Sequence, residues 1–138
     1  MDRKNQQILI IEDNEDDVLI IKRGLKKAKI ANVLNHVSNG KEAFEYIDKF
    51  GADSLQLILL DLNMEIMNGF DFLAKRKESK ELMKTPVVVL TSSSRQQDIE
   101  KAYLLGANSY VEKPLNPTEF LNAISKIEDF WIFLAKKP

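Results

Sequence analysis

The chain has no cysteine in 138 residues. That excludes a disulfide framework and any thiol chemistry, and it fits a cytosolic protein. It has no excess of either charge: 20 basic and 21 acidic residues leave a net charge of -1. General electrostatic attraction to nucleic acid or to a membrane surface is therefore not implied. No apolar run approaches membrane-spanning length. The first residues, Met1 to Gln7, are polar and lack the apolar core of a signal peptide. Internal repeats, low-complexity tracts and linkers are also missing. What is present is ordinary, with 44% hydrophobic and 30% charged residues. This describes one globular domain, large enough for a substantial core and too short for two.

The chain is organised around Leu57-Ile58-Leu59-Leu60-Asp61. An unbroken aliphatic run of this length reads as a strand buried on both faces of a parallel sheet. Asp61 then stands at the strand's carboxyl end, the edge where open α/β sheets bind ligands. The loop that follows closes on Asn68-Gly69, a turn signal.

Other runs have the same form. Ile8-Leu9-Ile10-Ile11 ends in Glu12-Asp13, and Val87-Val88-Val89-Leu90 ends in Thr91. Ser109 to Glu112 is a short strand ending in Lys113-Pro114, and Val33 to Val37 is a further candidate. Between them lie helices. Asn14 caps the first, with Glu15, Asp16 and Asp17 in its opening turn. Asn39 with Glu42 forms a capping box for the second, and Phe70 to Arg76 mark a short third helix. A charged loop leads from there to Thr85-Pro86. Ser94 and Gln97 predict the start of the fourth helix, and Gly106 stops it. Asn116-Pro117-Thr118-Glu119 opens the last, which runs to about residue 134. Five strands alternating with five helices imply right-handed βαβ units and a doubly wound parallel sheet with helices on both faces. The domain core spans about residues 7–134, and no output domain fits after it.

A parallel sheet brings Glu12, Asp13, Asp61, Thr91 and Lys113 to one edge. Each has a plain explanation alone: acids at a helix start, a turn aspartate, a capping hydroxyl, a solvated lysine. Together they suit phosphoryl transfer. Clustered carboxylates call for a hard divalent cation, and magnesium accepts one or two carboxylates plus a backbone carbonyl. A carboxylate nucleophile, a cation, a lysine and a hydroxyl then supply positioning and charge stabilisation. His36, the only histidine, reads as a surface or half-buried strand residue and not as a phosphohistidine.

These residues sit in longer motifs: Ile10 to Asn14 (IIEDN), Leu59 to Met64 (LLDLNM), Met67 to Gly69 (MNG), Val88 to Ser92 (VVLTS), Leu105 to Ala107 (LGA) and Tyr110 to Pro114 (YVEKP). With them the chain resembles, over nearly its whole length, the receiver domains of two-component response regulators. The resemblance implies a flavodoxin-like fold with strand order 2-1-3-4-5, for which a chemotaxis receiver is a standing example. It implies that Asp61 accepts a phosphoryl group from a phosphohistidine on a sensor histidine kinase. Asp13 would bind Mg2+ directly, Glu12 through a water, and the Asn63 backbone carbonyl would complete the set with Asp61. Thr91 and Lys113 would hold phosphoryl oxygens, Thr91 and Tyr110 would switch together, and Lys113–Pro114 would be a cis peptide. The chain would catalyse only its own phosphorylation and dephosphorylation. One departure is Glu65, where the family usually has proline, so the loop loses a stiffening residue and gains a charge.

The last helix carries more apolar residues than one face needs. Phe120, Ile124, Ile127, Trp131 and Leu134 form a stripe that Ala123, Phe130 and Phe133 widen. Its segment Ser125 to Trp131 resembles the C-terminal helix of the small stand-alone response regulators that work with bacterial phytochromes. That predicts a homodimer through the last helix and neighbouring elements. Two rivals stay open. One is a magnesium-dependent phosphatase with an aspartyl-phosphate intermediate, although Glu12-Asp13-Asn14 lacks the expected Asp-x-Asp. The other is an interaction module that is never phosphorylated.

Overall fold

The computed structural model describes residues 7–28 and 32–134, with side chains as far as Lys126. The elements, in order, are β1 (Gln7–Ile11), α1 (Glu15–Lys27), β2 (Val33–Val37), α2 (Gly40–Phe50), a 3-10 turn (Ala52–Ser54), β3 (Leu55–Leu60), α3 (Gly69–Arg76), α4 (Lys80–Met83), β4 (Val87–Thr91), α5 (Gln96–Leu104), β5 (Ser109–Glu112) and α6 (Pro117–Leu134). The strands form one parallel sheet in the order 2-1-3-4-5. This is the flavodoxin-like arrangement.

Strand residues alternate between two cores, as their period of two requires. Leu9, Ile11, Ile58, Leu60, Val87 and Val89 face α2, α3 and α5 through Ala43, Ile47, Phe72, Leu73 and Ala102. Ile8, Ile10, Leu57, Leu59, Val88 and Leu90 face α1 and α6 through Ile21, Leu25, Phe120 and Ile124. All six residues of β3 are buried, because helices cover both sides of it. Each buried aliphatic side chain contributes roughly 1.5–3 kcal/mol by leaving water.

The register places the functional edge. Ile11 pairs with Leu60, and the Asp61 N–H donates to the Ile11 carbonyl at 3.0 Å. Thr91 pairs with Glu112, and the Lys113 N–H donates to the Thr91 carbonyl at 2.7 Å. The chemistry-bearing residues therefore leave their strands side by side.

Most helix starts follow their sequence signals. Asn14 and Asn39 accept from the N–H groups of Asp17 and Glu42, and Asn116 accepts from Thr118 and Glu119. Glu42 reaches back to the Ser38 N–H at 3.0 Å, closing its box one residue ahead of the cap. Asn68, read as half of a turn, is the N-cap of α3 and accepts from Asp71.

Three expectations need correction. The charged loop after α3 contains a single-turn helix, α4, capped by Ser79 and pinned by buried Leu82. The start of α5 is not capped by Ser94. That helix begins at Gln96 with Arg95 in the cap position and no side-chain capping bond. The neighbouring Ser93 hydroxyl organises the turn instead, donating to Asp98 at 2.6 Å and accepting from the Arg95 N–H. Lys113–Pro114 is trans and not cis. Trans is the lower-energy isomer of a proline bond by about 0.5–1 kcal/mol.

Of the α6 stripe, Phe120 and Ile124 are buried against α1 and the sheet. The stripe from Ile127 onward lies outside the residues whose side chains are described. No helix among the described residues is long and apolar enough to cross a membrane.

Candidate functional site

Asp61 follows the last residue of β3 and is 6% exposed. Its Oδ1 is buried and makes no hydrogen bond to the described residues, while Oδ2 lies 3.7 Å from Lys113 Nζ. A carboxylate oxygen without a donor in a buried place is costly, so it marks where a ligand is expected. Glu12 and Asp13 enter from the end of β1. Glu12 is buried, Asp13 is exposed, and one oxygen from each lies within 4.8 Å of one oxygen of Asp61.

Lys113, from the end of β5, ties this acidic group together. Its ammonium donates to Glu12 Oε1 and to Asp17 Oδ2, the latter at 2.8 Å. Burial lowers its proton affinity, but the carboxylates of Glu12, Asp17 and Asp61 outweigh that and raise its pKa above the ordinary lysine value. Glu12 moves the other way from an ordinary carboxyl. Burial, then the Asp61 charge, push its pKa up to about 8 against the pull of Lys113.

Thr91 ends β4 with its side chain fully buried. Its hydroxyl accepts from the Asn63 side-chain amide at 3.3 Å and from the Ser93 N–H at 3.5 Å. Tyr110 on β5 is half-buried against the core, and its hydroxyl donates to the Ser93 carbonyl at 2.8 Å. Ser93 thus joins the Thr91 hydroxyl, the first turn of α5 and the Tyr110 ring. Asn63 itself is exposed, in the loop after β3, where its carbonyl stands two residues beyond Asp61. His36 is half-buried on β2, with Nε2 2.7 Å from the Glu12 carbonyl.

The loop after Asp61 is held without the family's proline. The Gly69 N–H donates to the Leu62 carbonyl and the Gly40 N–H to the Met67 carbonyl. Met67 has φ of 46°, the left-handed region that a side chain seldom takes, and it is the only such non-glycine among the described residues. Glu65 is exposed.

Sequence reading missed Asp17 as a member of the site. Only its place in the opening turn of α1 was visible, and that explains it equally well as a helix-dipole acid. It also missed the buried guanidinium of Arg76.

All oxygen donors, with two carboxylates buried and one exposed, suit a hard divalent cation. Glu12, Asp13 and Asp61 are the residues that would hold it, and the free Oδ1 of Asp61 fits that role. Such a cation must compete with the proton on Glu12. Affinity for Mg2+ or Mn2+ is expected to rise with pH until about 8, by up to roughly tenfold per pH unit while one proton is released. Calorimetric titration in buffers of different ionisation enthalpy checks this; binding without proton release would contradict it. The stability of the metal-free fold has the opposite slope. Because the folded pKa of Glu12 is the higher one, its contribution is full below about 4.5 and is lost as pH rises through about 8.

Comparison with known proteins places the chain in a family. The response regulator receiver domain model matches residues 8–125. The chain belongs to that family, whose members are the phosphorelay modules of two-component signalling. Among curated relatives, a probable methanogenesis regulatory protein, FilR2 of Methanothrix harundinacea, is 31% identical over 134 residues, covering 95% of this chain and 86% of that one. Among solved structures, the Mn2+-bound form of response regulator Rcp1, a Synechocystis protein, superposes with a TM-score of 0.85 at 32% identity, covering 95% of this chain and 97% of that one. The phosphorylated cyanobacterial phytochrome response regulator RcpA gives 0.87 at 33% identity, covering 96% and 97%.

Proposed function

We propose that this chain is a phosphorylatable switch whose acceptor is Asp61, loaded in the cytoplasm from a phosphohistidine of a sensor histidine kinase of the phytochrome type. The observation that carries the reading is the buried, unpartnered Oδ1 of Asp61, flanked by the Lys113 ammonium and the acidic group at the end of β1. The Mn2+-bound form of Rcp1 supports a divalent cation at this edge, and RcpA, a phosphorylated phytochrome response regulator, supports the kinase class.

In this reading an Asp61 oxygen attacks phosphorus, a new O–P bond forms, and the N–P bond to the histidine breaks with its electrons left on the imidazole. Lys113 neutralises one phosphoryl oxygen. The Thr91 hydroxyl, now an acceptor from Asn63 and Ser93, turns its proton to another. Glu12, Asp13, Asp61 and the Asn63 carbonyl would hold magnesium, which would supply charge neutralisation there. Movement of Thr91 reaches Tyr110 through Ser93, whose carbonyl the tyrosine hydroxyl holds. Hydrolysis reverses the modification, so the chain turns over only itself and is not an enzyme toward other substrates. The apolar excess in the sequence of α6 we assign to a homodimer surface, with no role in nucleic-acid or membrane contact.

Intact-mass measurement after incubation with acetyl phosphate and magnesium tests the acceptor, beside Asp61→Asn. One hydroxylamine-labile phosphoryl group on the wild type and none on the variant is the expected result. An equal adduct on both would move the acceptor elsewhere. No adduct on either, even with quenching in seconds, would favour the unphosphorylated interaction module, and steady phosphate release from added phosphoesters would favour a phosphatase.

A further inference from the structure

Three acids fill the opening turn of α1, but only one of them is shown reaching into the pocket. Asp17 Oδ2 takes a hydrogen bond from Lys113 Nζ at 2.8 Å, and the backbone of Asp17 is fixed by its N–H bond to the Asn14 cap at 3.0 Å. An ammonium has three protons to give. Lys113 spends one on Glu12 and one on Asp17. It stays 3.7 Å from Asp61 Oδ2, near enough for attraction and too far for a hydrogen bond.

We propose that Asp17 is a positioning residue that holds the Lys113 ammonium off Asp61 in the resting chain and competes with the phosphoryl group for it afterwards. The proposal rests on the acceptor reading of Asp61 and adds a residue to it. With Asp17 in place, the ammonium stays outside hydrogen-bond distance of Asp61 Oδ2, and that oxygen is not consumed in a closed ion pair. Once a phosphoryl group is attached, its oxygens reach toward the same ammonium. The Asp17 carboxylate then opposes that pairing, so the modified state is held less tightly than the pocket would otherwise allow. As a helix-dipole acid alone, Asp17 would act no differently from its exposed neighbour Asp16.

The test uses the full chain and the variants Asp17→Asn, Asp17→Glu and Asp16→Asn, with beryllofluoride in saturating magnesium as the phosphoryl probe. A hydrogen bond to a charged group, discounted for the partial exposure of Asp17, sets the expected scale at about 3- to 10-fold. Asp17→Asn should bind the probe tighter by that factor. Asp17→Glu should return toward wild type, and Asp16→Asn, which removes the same charge one residue away, should leave affinity unchanged. Equal tightening by Asp16→Asn, or unchanged or weaker binding by Asp17→Asn, would overturn the proposal. A crystal structure of ligand-free Asp17→Asn supplies an independent readout: Lys113 Nζ should close to hydrogen-bond distance from Asp61. If the wild type itself fails to bind the probe, the acceptor reading falls, and that structure decides the resting role of Asp17; an unchanged separation from Asp61 refutes it.

Discussion

Gly69→Ala is expected to destabilise the fold by about 2–3 kcal/mol, the upper part of the range for forcing one carbon into a packed place. On helix propensity alone the sign would be reversed, since alanine is better than glycine in a helix by about 0.8–1 kcal/mol. The geometry overrides propensity here. A Cβ on Gly69 would stand 2.5 Å from the Asp61 carbonyl oxygen and 2.8 Å from the Leu62 Cα. Both are backbone atoms, and neither can rotate away. The loop would have to lift, breaking the Gly69 N–H bond to the Leu62 carbonyl and dragging the peptide of Asp61 with it. Urea unfolding should show the loss of stability, and the rate of phosphorylation by acetyl phosphate should fall in the part of the population that stays folded. A variant as stable as wild type would mean that α3 can shift without disturbing the acceptor.

Arg76→Met should cost about 2–4 kcal/mol, on the scale of leaving one buried and one half-buried carbonyl without donors. Arg76 is 1% exposed and faces no carboxylate among the described residues. Its Nη1 donates to the Gly106 carbonyl at 2.9 Å and its Nη2 to the Thr85 carbonyl at 2.8 Å, with longer contacts to Met83 and Asn108. Burial lowers its pKa from the ordinary arginine value, yet arginine remains charged. Replacing a buried ion pair by apolar side chains is often harmless because both charges leave together. That escape is closed here: the acceptors of the two short bonds belong to the backbone and cannot be mutated away. Arg76→Lys should rescue little, because a point charge on a flexible stem cannot serve two carbonyls in a fixed fork. Thermal unfolding of the two variants beside wild type decides the matter; a methionine variant of wild-type stability would show that water satisfies these carbonyls.

What could be read without the structure follows from physics that is local along the chain. The strands β1, β3 and β4 were legible because each apolar run is buried on both faces and stops abruptly at a polar residue. The asparagine caps were legible because a cap and its bonded N–H are neighbours in sequence. Asp61, Glu12, Thr91 and Lys113 were legible together because a parallel sheet sends all its strand ends to one edge. Two failures came where the deciding partner is distant. Arg76 closes the apolar stripe of α3, and nothing near it in sequence says that the carbonyls of Thr85 and Gly106 surround it. Asp17 meets Lys113 only after α1 and β5 are both placed. Ser94 lost its expected cap role to a competition one residue away, where the Ser93 hydroxyl found the Asp98 carboxylate. The single turn of α4 was too short for any periodicity to show.

Glu12 and its ammonium partner stand 101 residues apart along the chain. Translation at roughly 5–20 residues per second makes the first of them wait about 5–20 seconds for the second. Through that interval the emerging protein holds its acids with no internal cation to gather them, and their mutual repulsion works against early closure around β1 and β3. The arrival of β5 removes the repulsion and supplies the outermost strand in one event. A newborn chain therefore becomes capable of receiving a signal only once its last strand is in hand, and one with an unfinished sheet is silent by construction.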